Sequence, residues 1–220
     1  MDNEISKRVE KLLNAYPTLM LKEETDNTFV ISGVIDVHRN IGQYVLNKSY
    51  EIMMNIPKKE GSLPCVFDVG KAIDAEYPHL YPDGMLCLAT DVDMQIAFTE
   101  EPSLVRWMRN YVEPYFVSYE YYERYGSFPM GERPHGSAGI IQSYMDFFDA
   151  DELQAKRMIY FLAYKNYRGH QPCPCGSGIR MRKCHGKKLL KFYNNPVLIK
   201  QARMDCIMVV REVAYNANPQ

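Results

Sequence analysis

The chain has 220 residues, of which 46% are hydrophobic and 24% charged, and its formal net charge at pH 7 is −1. These values are ordinary for a globular protein that buries a core. The near-neutral charge gives no whole-chain reason to expect a nucleic acid or a membrane surface as partner. The charged N-terminus lacks the apolar stretch of a signal peptide, and no run is long enough to span a bilayer, so we expect a cytoplasmic protein with reduced cysteines.

The first part of the chain predicts one helix followed by antiparallel strands. Apolar residues recur at helical spacing over 4–22, with Pro17 near the end of that segment. The pattern then changes to alternation of β-branched and polar residues, with the turn-like NIGQ between the first two alternating runs. Strands are predicted over 28–39, 44–57 and 64–69.

The second part of the chain predicts helices. An irregular segment, AEYPHLYPDG, precedes the short apolar run MLCLA, and helical periodicity returns at Ser103, where Thr99 or Ser103 could provide the cap. Further helices are predicted for AGIIQSYMDFF, for 149–167 with Asp149 or Asp151 as its cap, and for 195–215. Helices and antiparallel strands that do not alternate as βαβ units indicate an α+β protein.

A cluster of sulfur and imidazole lies in PCPCGSGIRMRKCHG, residues 172–186. Its four possible metal ligands are Cys173, Cys175, Cys184 and His185. Thiolates and imidazole are the donors that zinc prefers in a tetrahedral site, and the intervening Gly-Ser-Gly permits a sharp turn around an ion. A bound zinc ion would stabilise a segment too short to form its own core. A redox-active cysteine pair is the alternative interpretation.

The same region is locally basic. Between 165 and 191 every charged residue is Lys or Arg. These cations would offset the charge of a site with three thiolates. They also leave open a nucleic-acid-binding role, although aromatic residues are sparse in this stretch.

The stretch CPCGSGIRMRKCHG resembles the SEC-C motif, a short zinc-binding module with the pattern CxCGSG followed by a CC or CH pair and a glycine. The resemblance covers the whole module. It implies structural Zn²⁺ held by Cys173, Cys175, Cys184 and His185, and it implies a role in binding protein partners. It does not specify a reaction.

Three cysteines remain outside this cluster. Cys65 lies in a predicted strand and Cys206 on the apolar face of a predicted helix, which is typical of buried thiols. Cys87 instead follows a proline-containing irregular segment. It is therefore the candidate nucleophile, with a buried structural thiol as the alternative.

The setting of Cys87 resembles the active-site region of ubiquitin-conjugating enzymes. That family has an N-terminal helix, an antiparallel meander, a long coil with a His-Pro-Asn tripeptide, the catalytic cysteine in a short apolar segment, and then helices with a nearby tryptophan. Here GMLCL contains Cys87, and Trp107 stands near the start of the next long helix. The resemblance spans about residues 1–125 and implies a UBC-like fold with Cys87 forming a thioester. It departs from the family where Tyr77-Pro78-His79 replaces the tripeptide, because no asparagine is present to support the oxyanion.

The combination with a SEC-C module and with the GERPHG loop is similar to stand-alone conjugating-type proteins of bacterial anti-phage (CBASS) operons. This resemblance implies conjugation of the C-terminal tail of a partner protein, namely a cGAS-like nucleotidyltransferase encoded nearby. No membrane partner is expected. The alternative is a catalytically inactive UBC-like module that recruits a partner through its SEC-C motif.

Four residues are candidates for the acid or base that would assist Cys87: His79, Asp83, Asp91 and His135. His79 is the nearest histidine in sequence to the cysteine, and His135 lies in a Gly- and Pro-rich loop that could close over a site. Structural roles remain open for all four residues. The histidines could serve only packing or loop structure, Asp83 could form a turn, and Asp91 could cap the next segment.

The predicted organisation is therefore α+β, with a UBC-like antiparallel meander flanked by helices and a small zinc-binding module near the C-terminus. The conjugating domain with its helical extension is predicted at 1–168. The zinc-binding module follows at 169–190 and a C-terminal helix at 191–220.

Overall fold

The computed structural model describes residues 2–129 and 131–217. Within them the chain forms two compact units. The first contains residues up to 89 together with 98–132, and the second contains 90–97 together with the chain from 133 onward. The first unit holds a four-stranded antiparallel sheet and the second is helical, so the predicted α+β class is confirmed.

The sheet of the first unit is a meander in the order β1-β2-β3-β4. Its strands pair with their neighbours in sequence, and β2 and β3 pair along their full length, from Thr28 opposite Pro57 to Ile41 opposite Tyr44. The three strands predicted from the sequence are confirmed. In chain order the elements are α1 (Asp2–Ala15), β1 (Leu19–Glu24), β2 (Thr28–Ile41), β3 (Tyr44–Pro57) and β4 (Cys65–Asp68).

The predicted helix over 4–22 is wrong in its second part. Helix α1 ends at Ala15, and the chain enters β1 at Leu19. Pro17 lacks an amide hydrogen and disfavours helical geometry in the preceding residue, which ends the helix. Gly33 then allows close pairing of β1 with β2, because a Cβ atom at this position would lie 2.2 Å from the Thr18 carbonyl oxygen.

Helix α2 (Asp91–Glu100) is not predicted by the sequence pattern. Its apolar residues do not fall on one face, so it lacks the periodicity by which amphipathic helices are recognised. Residues 90–97 belong to the second unit, and the chain re-enters the first unit at Phe98.

The first unit continues with α3 (Leu104–Trp107), a π-helical turn (Met108–Val112) and α4 (Glu113–Tyr125). The hydroxyl of Ser103 accepts the Arg106 amide, which confirms Ser103 as the cap. Helix α4 packs on the sheet through Phe116, whose ring stacks on that of Tyr50 with 3.9 Å between centroids. This packing fixes α4 beside the coil that follows β4.

The second unit contains α5 (Gly136–Phe148), α6 (Glu152–Tyr164), α7 (Gly186–Tyr193) and α8 (Pro196–Ala217). The predicted helices correspond to α5, α6 and α8. Of the two candidate caps for α6, Asp151 forms a capping box with Gln154, whereas Asp149 ends α5 in a left-handed conformation. No helix in the described part of the chain is both long and apolar enough to cross a membrane.

The cysteine-rich segment belongs to the core of this second unit. Cys173, Cys175 and Met181 are buried in one apolar cluster with residues of α5, α6, α7 and α8. The observed units therefore differ from the predicted boundaries at 168 and 190, and the second of these falls inside α7. The difference has a physical cause, since the segment shares buried surface with α5 and α6 and does not form a separate body.

A buried carboxylate lies between α5 and α8. Asp205 is 3% exposed, accepts the Tyr144 hydroxyl at 2.8 Å and accepts the Gln201 side-chain amide at 2.8 Å. Burial raises the pKa of Asp205 to about 6; the two hydrogen bonds act to lower it, and the charges of Asp91 and Asp93 act to raise it. The ionised form is therefore tolerated at a cost.

The raised pKa of Asp205 predicts that the stability of the protein depends on pH. Because the pKa of Asp205 is higher in the folded than in the unfolded chain, the native state binds the proton more tightly. Its contribution to stability is greatest below pH 4, falls as pH rises towards 6, and is constant above, with a total change of about 3 kcal/mol. Urea denaturation followed by circular dichroism from pH 4 to 7 should show this slope flattened in Asp205→Asn. The exposed-site control Glu152→Gln should keep the slope, and an unchanged slope in Asp205→Asn would contradict the assignment.

Candidate functional site

The four predicted metal ligands converge in the second unit. One donor atom from each of Cys173, Cys175, Cys184 and His185 lies within 4.8 Å of the other three. The His185 Nδ1 atom is 3.4 Å from Cys173 Sγ and 3.2 Å from Cys184 Sγ, and Cys175 Sγ is 3.7 Å from Cys184 Sγ. The cluster can hold a metal ion.

The backbone brings these donors together by a tight loop. The Cys173 amide donates to the Ile179 carbonyl at 2.8 Å, and Pro172 and Arg180 form an isolated β-bridge. Within the loop Gly176 and Gly178 have φ values of 89° and 74°, which other residues rarely adopt. Both glycines of the Gly-Ser-Gly segment are therefore required by the turn.

The surroundings of Cys173 and Cys175 shift the pKa values of the two thiols in opposite directions. Burial raises the pKa of the Cys173 thiol, against hydrogen bonds from the backbone amides of Cys175 and His185. Burial also acts to raise the pKa of Cys175, but the Ser177 hydroxyl and amide, with Cys173 and Cys184, lower it overall. A bound cation would favour ionisation of all three thiols.

The surroundings of His185 favour the neutral form of its imidazole. Burial, followed by the charge of Lys188, lowers the pKa of its imidazole. A metal ion binds the neutral ring through a free nitrogen, so a lowered pKa favours the form that can coordinate.

Cys87 lies in the first unit, on the coil that follows β4. The coil folds back on itself: Leu80 bridges Leu86, and Met85 bridges Phe67 of β4. The Leu86 amide donates to the Val66 carbonyl at 2.8 Å, so the segment before Cys87 extends the sheet by a short pairing. Cys87 itself is partly exposed.

One carbonyl group connects Cys87 to the helix beside it. The His79 carbonyl oxygen accepts the Cys87 amide at 2.8 Å and the Tyr115 hydroxyl at 2.9 Å. A ring nitrogen of His79 also lies within 4.8 Å of Cys87 Sγ. The structure thus brings the predicted nucleophile and the nearest predicted acid-base residue together.

Tyrosines surround this pair. The Tyr77 ring has its centroid 5.6 Å from that of His79 and 5.8 Å from that of Tyr115. Burial raises the pKa of both Tyr77 and Tyr115, and a negative charge on Cys87 would raise each further. Both phenols are therefore neutral near a Cys87 thiolate and keep their protons as hydrogen-bond donors.

Asp83, Asp91 and His135 are the remaining candidates for an acid or base. The Asp83 carboxylate accepts the Met85 amide at 3.1 Å, which is the turn role that its sequence setting allows. Asp91 stands exposed in the first turn of α2, and His135 is the residue before α5. These two belong to the second unit, and a catalytic role for Asp83, Asp91 or His135 stays a prediction.

The remaining cysteines differ from each other. Cys206 is buried in the core of the second unit, whereas Cys65, at the start of β4, is only partly buried. Sequence reasoning missed Tyr115 and Ser177 as contributors to the two sites. A tyrosine among many in YFVSYEYY carries no signal of a coil contact, while Ser177 inside the GSG turn could have been noticed as a donor to sulfur.

Comparison with protein-family models, with curated proteins and with solved structures found no match to this chain.

The cluster predicts bound metal in the purified protein. The wild type should contain about one metal ion per chain, because four donors complete a tetrahedral set. Cys184→Ser should lose most of the metal, because a serine hydroxyl is a much weaker ligand than a thiolate for a metal that prefers sulfur. Inductively coupled plasma mass spectrometry measures the metal content. Cys206→Ala removes a buried thiol of the same unit outside the cluster and should retain the metal. Equal metal content in the two variants would contradict the assignment.

Proposed function

We propose that this protein is a cysteine-dependent acyl transferase of the ubiquitin-conjugating type, with Cys87 as the carrier. The observation that carries the proposal is the partly exposed residue Cys87, whose sulfur lies within 4.8 Å of a His79 ring nitrogen, on a coil fixed to the sheet. A thiol beside an imidazole is an arrangement that serves nucleophilic catalysis.

The first step requires an activated acyl donor, which is a thioester or an acyl adenylate of the partner's C-terminal tail. The Cys87 thiolate attacks the carbonyl carbon, and the donor's thiolate or AMP leaves, so that one thioester is formed. The thiol proton passes to His79 or to solvent. In the second step an amine attacks this thioester, an amide forms, and the Cys87 thiolate is released with the amine proton going to a base.

The order of elements supports a UBC-like fold as part of this proposal. A helix, a four-stranded meander and a coil carrying the cysteine follow one another, and the buried Trp107 lies on the subsequent helical segment. This is the order that the sequence resemblance implies. The donor for the developing oxyanion is left unassigned, because Tyr77-Pro78-His79 offers no asparagine.

We propose zinc as the metal of the Cys-His cluster, in a structural role. Bond lengths of about 2.3 Å to sulfur and about 2.0 Å to nitrogen at a tetrahedral angle place sulfur atoms about 3.8 Å apart and sulfur about 3.5 Å from nitrogen. The sulfur pair at 3.7 Å and the sulfur–nitrogen pairs at 3.4 and 3.2 Å agree with that geometry. Four protein donors leave no open position, as in structural sites.

The partner is proposed from the sequence resemblance alone. It would be a protein with a conjugatable C-terminal tail, namely a cGAS-like nucleotidyltransferase encoded nearby, and the setting would be anti-phage defence in the cytoplasm. The alternative is an inactive UBC-like module that binds a partner through its zinc motif. The missing asparagine of the tripeptide favours this alternative.

Replacement of Cys87 distinguishes the acyl transferase from the inactive binding module. Co-expression with the neighbouring genes should give a thiol-sensitive adduct on a non-reducing gel and in intact mass spectra of the wild type. Cys87→Ala should abolish it, because no other described thiol lies on this coil. Cys65→Ala is the matched control in the same unit and should retain the adduct. Partner binding without an adduct, unaffected by Cys87→Ala, would instead establish the inactive module.

Tyr115→Phe tests the contact that holds the coil. Loss of its hydrogen bond to the His79 carbonyl should slow adduct formation about fivefold while costing about 1 kcal/mol of stability. Tyr119→Phe is the matched control: its hydroxyl accepts the Asp74 amide of the same coil, at 3.1 Å, away from His79. Single-turnover rates and urea denaturation followed by Trp107 fluorescence give the two readouts. Equal rates in both variants would contradict a positioning role for Tyr115.

A further inference from the structure

A groove on the second unit is not used by either site. It has a volume of about 420 Å³ and lies along α6, with one wall from the loop between the first two cysteines of the metal cluster. This volume is within the range of sites that bind small molecules or a few side chains of a peptide. Its lining residues are Lys156, Arg157, Tyr160, Phe161, Lys165 and Pro174.

The groove is lined by both apolar and cationic side chains, and further apolar side chains are exposed on the same helix. Tyr160 is 52% exposed and lies 5.1 Å, centroid to centroid, from Tyr164, which is 58% exposed. Leu153, two turns before Tyr160, is also 58% exposed, so apolar side chains form a stripe along the outer face of α6. Large exposed aromatic residues beside arginine are the composition of interaction hot spots.

The charge of the groove selects the partner. Among the described residues that line it, three are cationic and none is acidic. A nearby carboxylate is that of Glu152, which pairs with Lys156 across the helix surface at 2.5 Å. Because exposed ion pairs contribute little stability, a partner's carboxylate can replace that of Glu152 at Lys156. A partner with carboxylates next to apolar side chains complements both features.

The groove is connected to the metal cluster. Pro174 stands between the two ligands Cys173 and Cys175, and the Arg157 guanidinium donates to the Cys175 carbonyl at 3.3 Å. The position of the wall that Pro174 supplies therefore depends on the segment that carries Cys173 and Cys175. A metal ion held by these cysteines would help to fix that wall.

We propose that this groove binds an acidic peptide segment of a partner protein, with its apolar side chains against Tyr160 and Phe161 and its carboxylates at Arg157 and Lys165. A nucleic acid is disfavoured, since tight binding of a polyanion requires a track of many free cations. The lining of this groove instead combines three cations with two aromatic side chains and a proline, which suits a short segment with both apolar and acidic side chains. The surface acts independently of Cys87 and extends beyond the proposed transfer reaction.

A selection experiment tests the proposal with probes of defined length. A phage-displayed library of random twelve-residue peptides is selected on the full-length wild type, and the enriched peptides are synthesised with a fluorophore for anisotropy titrations. We expect enriched peptides that combine Asp or Glu with Leu, Phe or Trp. Lys165→Glu and Tyr160→Ala should each weaken their binding about tenfold.

Three controls make the result decisive. Lys200→Glu introduces the same charge change at an exposed position of α8 outside the groove and should bind as the wild type does. Removal of the metal by a chelator, checked by metal analysis, should weaken binding, and Cys87→Ala should leave it unchanged. Enriched peptides without acidic residues, equal loss in Lys165→Glu and Lys200→Glu, or tighter binding of a twenty-nucleotide oligo-dT than of the peptides would overturn the proposal.

Discussion

The hydrogen bonds that meet at the His79 carbonyl are the constraint on which the proposed chemistry of this protein depends. A coil without regular structure would let a cysteine sample many positions, at an entropic cost for any reaction that needs one geometry. Here the Cys87 amide and the Tyr115 hydroxyl converge on one oxygen, and the flanking residues pair with β4. The sheet and α4 thus fix a sulfur atom and an imidazole as neighbours, which makes a chemical role for that sulfur reasonable.

In the second unit, burial and not a shared carbonyl fixes the positions of the functional side chains. The loop that carries the four metal donors is too short and too rich in glycine to form a stable structure alone. It is stabilised by burial of Cys173, Cys175 and Met181 among the helices and by the donor cluster. An ion at that cluster would offset the mutual repulsion of its thiolates and keep Pro174 in place at the α6 groove. The donor cluster, the helical core and the α6 groove are therefore one connected structure within this unit.

The sequence is informative where a local pattern has one physical meaning. Alternation predicts β2 and β3, and the spacing of Cys173, Cys175, Cys184 and His185 predicts a convergent donor set. Prediction fails where tertiary contacts decide. Leu19 belongs to a strand because β2 lies beside it, and α2 has no amphipathic face to recognise. The Tyr115 contact with the His79 carbonyl joins residues 36 positions apart, so no local pattern contains it.

The most direct test of the central claim is to locate the attachment site. The protein is isolated under acidic, non-reducing conditions from cells that also produce its neighbouring genes, digested, and examined by tandem mass spectrometry. We predict an added C-terminal peptide on Cys87 that thiol treatment removes. A peptide attached at another cysteine or at a lysine only, with Cys87 always unmodified, would contradict the claim.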